Sequence, residues 1–295
     1  MIPHRFLHVA NGTSTTQLIE AAGIPGGLSI WADILYEGPV PGGMSDEDLV
    51  EIRARFLSGA ADDLRQWRAA IADHDSYDEL ILWYEHDLFD QLNLVQLLSW
   101  IRDHVPTDKL VTLICVGAFP GHPNFKGLGE LTPAELASLL QSRTPVTDAQ
   151  YSLAQRAWRA FREPTPEGLD RLRREDTTAL PYLSAALTRL LQEYPWTTDG
   201  LSRSERRLAE LTAAGITLHE ALPRMHQGED AYYITDLSLA RMVAALSSTS
   251  SPASPAPDRA DARVVDRWIG GVHLQPGGAD WRWDPTRGRI VAPLV

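Results

Sequence analysis

Residues 85 to 91, Glu-His-Asp-Leu-Phe-Asp-Gln, place four ionisable side chains within six positions, directly behind the apolar run Leu80-Ile81-Leu82-Trp83-Tyr84. Asp and His supply the oxygen and nitrogen ligands that divalent cations accept, and residues three apart on a helix share a face. His86, Asp87 and Asp90 are therefore candidate metal contacts, with Asp87 and Asp90 as the ligands. His86, with an unperturbed pKa of about 6.5, is also suited to proton transfer, and Asp87 to the role of base. The competing reading is structural: acidic residues at a helix start cap its free N–H groups and complement its dipole without binding anything.

Other segments hold groups that can act with these. Asn11-Gly12-Thr13-Ser14-Thr15 lies where a helix N-terminus can cradle a phosphate or carboxylate. It lacks the Lys of a phosphate loop, and the simpler alternative is a tight turn with Thr13 or Ser14 as cap. Asp33 and Glu37 follow a second short strand; Asp33 is a candidate ligand-binding residue, and Glu37 a catalytic candidate beside His86 and Asp87. Glu85 and Gln91 flank the central cluster as ligand-binding candidates. His122 joins them from the Gly/Pro-rich loop Phe119-Pro120-Gly121-His122-Pro123-Asn124, where the competing reading is an ordinary surface histidine. His8, inside a strand, reads as a hydrogen-bonded core histidine, Cys115 as a buried, inert thiol, and Trp31 and Trp83 as packing residues.

Elements must bring these segments together. The hydrophobic pattern predicts strands at residues 6–10, 28–32, 79–84 and 110–116, alternating with helices at 13–22, 45–71 (interrupted near Gly59) and 88–101. Alternating strands and helices predict an α/β domain over residues 1–145, with a mostly parallel sheet packed on both faces in three layers. In such a sheet, loops after the strands share one edge, and ligands sit there. Residues 146–198 read as a helical connector, wholly helical over 146–194 and broken by Pro164 and Pro166. Residues 199–295 read as a small winged-helix-like α+β module, with helices from Ser202, at 218–225 and at 234–246. SSTSSPASPAPD at 247–258 reads as a mobile linker, and a β-hairpin is expected from Gly271–Leu274 and Asp280–Trp283 around residues 275–279.

The whole chain bounds the function. With 295 residues and 44% hydrophobic content it can bury a substantial core, and its net charge of -12 repels nucleic-acid backbones and anionic membranes. One cysteine excludes an intramolecular disulfide or an all-cysteine metal cluster, and a reducing compartment fits. The N-terminus shows no apolar signal core, and no segment approaches the roughly 20 apolar residues of a membrane helix, so the protein reads as cytoplasmic.

The segments HVANGTSTTQL, IWADILYEGPV and LILWYEHDLFDQLNLVQLL, continued by GLGELTPAEL, TPVTDAQYSLAQRAWRAF and LPYLSAALTRLLQEYP, resemble the bacterial family built around domain of unknown function 1835. The resemblance covers most of residues 1–195 and extends more weakly to GLSRSERRLAEL and RWIGGVHL. It implies that Asp33, Glu37, Gly38, Pro39, Trp83, Glu85, His86, Asp87, Asp90 and Gln91 belong to family motifs, and it carries no activity with it.

Three functions compete. The first is an enzyme or ligand sensor for a phosphate-bearing or nucleotide-like small molecule, with a divalent metal as cofactor and hydrolysis or phosphoryl transfer as its chemistry. The second is a transcriptional regulator that reads DNA through Arg203, Arg206 and Arg207, with Arg282, Arg287 and Arg289 near a wing. The helix at 234–246 carries Arg241 as its only basic residue, poor equipment for a major groove. The third is a non-catalytic module whose acidic loops bind a basic protein partner.

Overall fold

Strands buried on both sides need apolar residues at successive positions, and the two faces of such a strand feed different cores. In the computed structural model, which describes residues 4–249, 264–275 and 281–292, that is how the first half of the chain folds. The units β1 (Phe6–Ala10), α1 (Thr13–Ala21), β2 (Gly27–Ile30) and then β3 (Gly38–Pro39), α2 (Asp46–Phe56), α3 (Ala61–Ala72) precede β4 (Glu79–Glu85), α4 (Leu88–His104) and β5 (Leu110–Val116). Leu7, Val9, Leu80, Leu82, Tyr84, Val111 and Leu113 point into one core, and Ala10, Ile81, Trp83 and Ile114 into the other. α4 packs in the first core and α1 in the second, so the sheet is the middle of three layers.

The sheet order is β2-β1-β4-β5-β6, with β6 (Thr144–Pro145) a short antiparallel edge after α5 (Pro133–Leu139) and the other neighbours parallel. From β1 the chain winds one way to β2, and from β4 the opposite way to β5. The gap between the carboxyl ends of β1 and β4 is therefore the switch point where crossover helices diverge to opposite faces and leave a crevice. The helix expected over 45–71 is two: Ser45 caps α2, and Ser58 and Gly59, both at positive φ (59° and 114°), turn the chain into α3.

The connector is less helical than expected. α6 (Asp148–Phe161), α7 (Glu167–Leu172) and α8 (Leu183–Leu191) are joined by irregular chain, with residues 173–182 forming turns rather than helix. α6 and α8 both pack on α4. α9 (Arg203–Ala213) opens with the Ser202–Glu205 capping box, followed by α10 (Leu218–Met225) and α11 (Asp236–Thr249). α11 runs through residues 247–249, the first three of the expected linker; the rest of that expected linker, 250–258, lies outside the described residues.

The expected hairpin is replaced by two others. β7 (Arg267–Gly270) pairs antiparallel with β8 (Val272–Leu274), and β9 (Arg282–Asp284) with β10 (Arg289–Val291). Gly270, at φ 60°, makes the first reversal before Gly271, where a strand had been expected to begin. The second follows Asp284, whose carboxylate accepts the N–H groups of Thr286 and Arg287. Residues 276–280, most of the expected turn, lie outside the described residues. β7 also runs parallel to β3, and the adjoining Gly38 adopts φ 76° with the Phe56 ring only 2.5 Å from where a Cβ would sit.

Candidate functional site

Glu85 is the last residue of β4, Asp87 the N-cap of α4, and Asp90 lies in the first turn of that helix. All three are buried, and one carboxylate oxygen from each lies within 4.8 Å of the others. The main chain holds them there. The Asp90 N–H donates to Asp87 Oδ1 at 2.8 Å, and the Glu85 N–H to Asp90 Oδ1 at 3.2 Å. The Asn11 amide donates to both Glu85 Oε1 (2.9 Å) and Asp90 Oδ2 (3.1 Å), while the Leu128 N–H donates to Glu85 Oε1 at 2.6 Å. Thr15 fixes the orientation of Asn11 by donating to its Oδ1 at 2.7 Å. Gln91 supports the cluster from behind, donating to the Glu85 carbonyl at 2.6 Å.

The electrostatics separate this cluster from the rest of the molecule. Asp33, Glu79, Asp170 and Glu205 are also buried, and each has an arginine partner: Arg53, Arg143, Arg173 and Arg267. No Lys or Arg pairs with Glu85, Asp87 or Asp90 among the described residues. Burial accordingly disfavours their charged forms. It pushes Glu85 up to about 7, with the neighbouring Asp87 charge adding to the effect. Asp90 is raised well above the usual carboxylate range by burial and then by Glu85 and Asp87, and Asp87 is raised by burial. Three such groups cannot all stay ionised in this space; they retain protons or take up a cation.

Glu85 and Asp87 floor a cleft of about 560 Å3, with Asp90 behind them. One wall is the start of α1, whose N-cap Gly12 leaves the first turn without a side-chain cap or an acidic residue. Lys126, Gly127, Gly129 and Glu130, from the loop after β5, form another. His226 and Tyr233 complete the lining from the segment between α10 and α11, and that segment is fastened to α4 by the Leu88 N–H donating to the Ala231 carbonyl at 2.7 Å. Lys126 Nζ stands 5.8 Å from the centre of the Tyr233 ring.

Of the residues singled out from sequence, Asn11, Gly12, Thr13, Ser14, Glu85 and Asp87 line this cleft, with Asp90 and Gln91 behind them. Neither Thr13 nor Ser14 caps α1. His86 is not in the lining; its Nδ1 is buried without a partner, and its ring meets the edges of Tyr182 and Tyr233. Asp33 serves the fold instead: Arg53 grips its carboxylate with two bonds of 2.6 and 2.9 Å, and Asn93 binds its backbone N–H and carbonyl. Glu37 lines a different cavity and pairs with Arg241 at 2.9 Å. His122 pairs with Glu135 at the start of α5, at 3.2 Å. His8 is the core histidine expected: its Nδ1 accepts from Trp83 Nε1 at 3.1 Å, so Nε2 carries the proton that goes to the Pro25 carbonyl at 3.2 Å. The Cys115 thiol is half-buried and pushed up to about 12 by burial.

Thr15, part of the expected Asn11–Thr15 segment, also lines the cleft, whereas Lys126, Gly127, Gly129, Glu130, His226 and Tyr233 are lining residues that sequence reasoning does not single out. The Gly-x-Gly of Gly127-Leu128-Gly129 was a visible signal of close backbone approach; His226 and Tyr233 had none, since they arrive from about 140 residues away through tertiary packing. Four of the six arginines that could serve DNA contact are engaged within the protein: Arg203 with Glu229, Arg206 with Asp199, Arg207 with Glu210 and Arg287 with Asp284. Among the described residues no helix is long and apolar enough to cross a membrane. The chain is thus a doubly wound α/β protein with a carboxylate-floored crevice at its switch point. It matches no protein-family model and no curated protein.

Proposed function

We propose that Glu85, Asp87 and Asp90 hold a divalent cation, and that cation and α1 together bind a phosphate-bearing small molecule of nucleotide size for hydrolysis or phosphoryl transfer. One observation carries the reading: the three carboxylates are buried with no Lys or Arg partner among the described residues, while the other buried carboxylates named above have arginines. Hard oxygen donors in this number suit Mg2+ or Mn2+. The open N-terminus of α1, the exposed Thr13 and Ser14, and Lys126 supply donors for an anion on the same cleft. A phosphate would be repelled by the bare carboxylates and drawn in once a cation stands between them, so the two ligands should bind in that order. A bound cation would polarise the phosphoryl oxygens and acidify a bound water. The family resemblance of the β1, β2 and β4 segments is compatible with this reading and contributes no chemistry to it.

Calorimetric titration of Mn2+ and Mg2+ into the protein and its Asp87→Asn variant tests the reading. Asn retains N-cap ability and removes only the charge. Stoichiometric binding to wild type, weakened at least about tenfold in Asp87→Asn with an unchanged circular dichroism spectrum, is expected. Absence of cation binding to wild type between pH 6 and 8 would sink the proposal.

A further inference from the structure

Once Glu85 and Asp87 are assigned to the cation and Lys126 to the anion, three ionisable side chains are left in the cleft lining: Glu130, His226 and Tyr233. Hydrolysis at phosphorus needs a group that takes a proton from the attacking water. Tyr233 is unsuited to that task, because burial, and then the nearby Asp87 charge, push its hydroxyl up to about 12 and keep it protonated. Glu130 is exposed, and its Oε2 already accepts the Lys126 N–H at 3.0 Å within its own loop.

His226 is held in a way that leaves one nitrogen free. It is the C-cap of α10, and its Nε2 lies 2.8 Å from the Ile234 carbonyl oxygen. A carbonyl only accepts, so Nε2 carries the ring proton and the neutral imidazole keeps its lone pair on Nδ1. Nδ1 has no hydrogen-bond partner among the described residues and is open to solvent. The Tyr233 ring packs against the imidazole at 78°, with 5.6 Å between centres, and restricts its rotation. A backbone carbonyl bound to one ring nitrogen decides which nitrogen is left to react. His86, the histidine expected from sequence to transfer protons, has a buried Nδ1 without a partner and lies outside the lining.

We propose that His226 is the proton acceptor of the cleft, taking a proton through Nδ1 from the water that attacks the bound phosphoryl group. The proposal rests on the reading of the cleft as a cation and phosphate site. As the water oxygen bonds to phosphorus, one of its protons moves to Nδ1. The bond from phosphorus to the leaving oxygen breaks, and its electron pair goes to that oxygen. Solvent then protonates the leaving oxygen, and the imidazolium returns its proton to solvent.

Mn2+ binding to the whole protein and its variants is measured first, so that failure of the cation reading shows separately. Mn2+-loaded wild type is then assayed with p-nitrophenyl phosphate, bis-p-nitrophenyl phosphate and ATP, and turnover of at least one is expected. His226→Gln keeps an amide that can donate to the Ile234 carbonyl and loses the basic nitrogen. Its kcat should fall about a hundredfold or more, with KM, Mn2+ affinity and melting temperature little changed. Imidazole added to His226→Ala should restore part of the rate, an effect that a merely structural histidine would not show. Mn2+ binding without turnover of any of the three compounds, an unchanged kcat in His226→Gln, or a loss that imidazole does not restore overturns the proposal. An equal loss of rate in Glu130→Gln would also overturn it, by moving the role to that carboxylate.

Discussion

Asp33 and Asp87 are both buried aspartates in chain that follows a strand of the central sheet, and their electrostatic surroundings are opposite. Arg53 neutralises Asp33 through a two-pronged contact and also donates to the Glu37 and Ile34 carbonyls, so the pair ties the β2–α2 connection together. Removing one partner of a buried pair strands the other, and Arg53→Met should cost about 3 to 5 kcal/mol in denaturant unfolding. Asp87 has no such partner, and neutralising it in Asp87→Asn should leave the unliganded protein at least as stable while cation binding is lost; a lower melting temperature would argue for a structural role. The raised carboxyls also predict a pH dependence. A carboxylic acid whose folded pKa lies above its unfolded value binds more protons folded than unfolded between the two, so stability declines as pH rises through that interval. For Glu85 the interval runs from 4.5 to about 7. The metal-free protein should therefore lose up to about 1.4 kcal/mol per pH unit there from this one group, with a shallower slope when Mn2+ is present. Chemical denaturation at four pH values, with and without Mn2+, reads both slopes; a flat profile without metal would refute the assignment.

At the scale of elements, the strand-to-helix turns decide what faces the cleft. α4 is closed by Asp87, whose one carboxylate oxygen caps Asp90 while the residue still lines the cleft. The residue that caps the helix is therefore also one that faces the cleft. α1 has the opposite arrangement, an N-terminus with no side-chain cap. The third contributor is the loop after β5, where Gly127 lets the backbone pass directly over Glu85: a Cβ there would come within 2.2 Å of Glu85 Oε2. Gly127 has an extended backbone, φ 170°, so the constraint is space rather than conformation. Gly127→Ala should displace the Glu85 carboxylate and weaken Mn2+ binding by about tenfold or more, with the melting temperature changed little. Undiminished affinity would show that Glu85 is not a ligand. Most of these elements were readable: β1, β5 and α10 fall at the residues that periodicity indicates, and the Ser202–Glu205 capping box opens α9 as its spacing indicates. The C-terminal strands were not, because short segments with Gly and Asp at several positions offer more than one turn, and pairing with β3 is a non-local choice.

Across the whole molecule, the C-terminal third does not merely follow the α/β part. β7 extends from β3, Trp196 bridges to Trp283, Arg189 of α8 pairs with Glu229, and one buried core runs from Leu7 to Ile290. His226 and Tyr233 bring that third to the cleft. A fragment of residues 1–198 should consequently expose apolar surface and bind Mn2+ more weakly than the whole chain, as dye binding and calorimetry would reveal; a monomeric fragment with full affinity would show the C-terminal third to be dispensable. Sequence by itself determined the alternation of strands and helices, the sheet edge at which the loops after the strands gather, and the cluster at residues 85–91. These follow from local periodicity, capping and turn chemistry, which a short window contains. Only the tertiary structure decided that Asp33 belongs to Arg53, that Glu37 faces another cavity, and that His226 and Tyr233 join the cleft. Whether a buried carboxylate finds a cation depends on which distant side chain arrives beside it, and that is a property of the packed fold rather than of any stretch of chain.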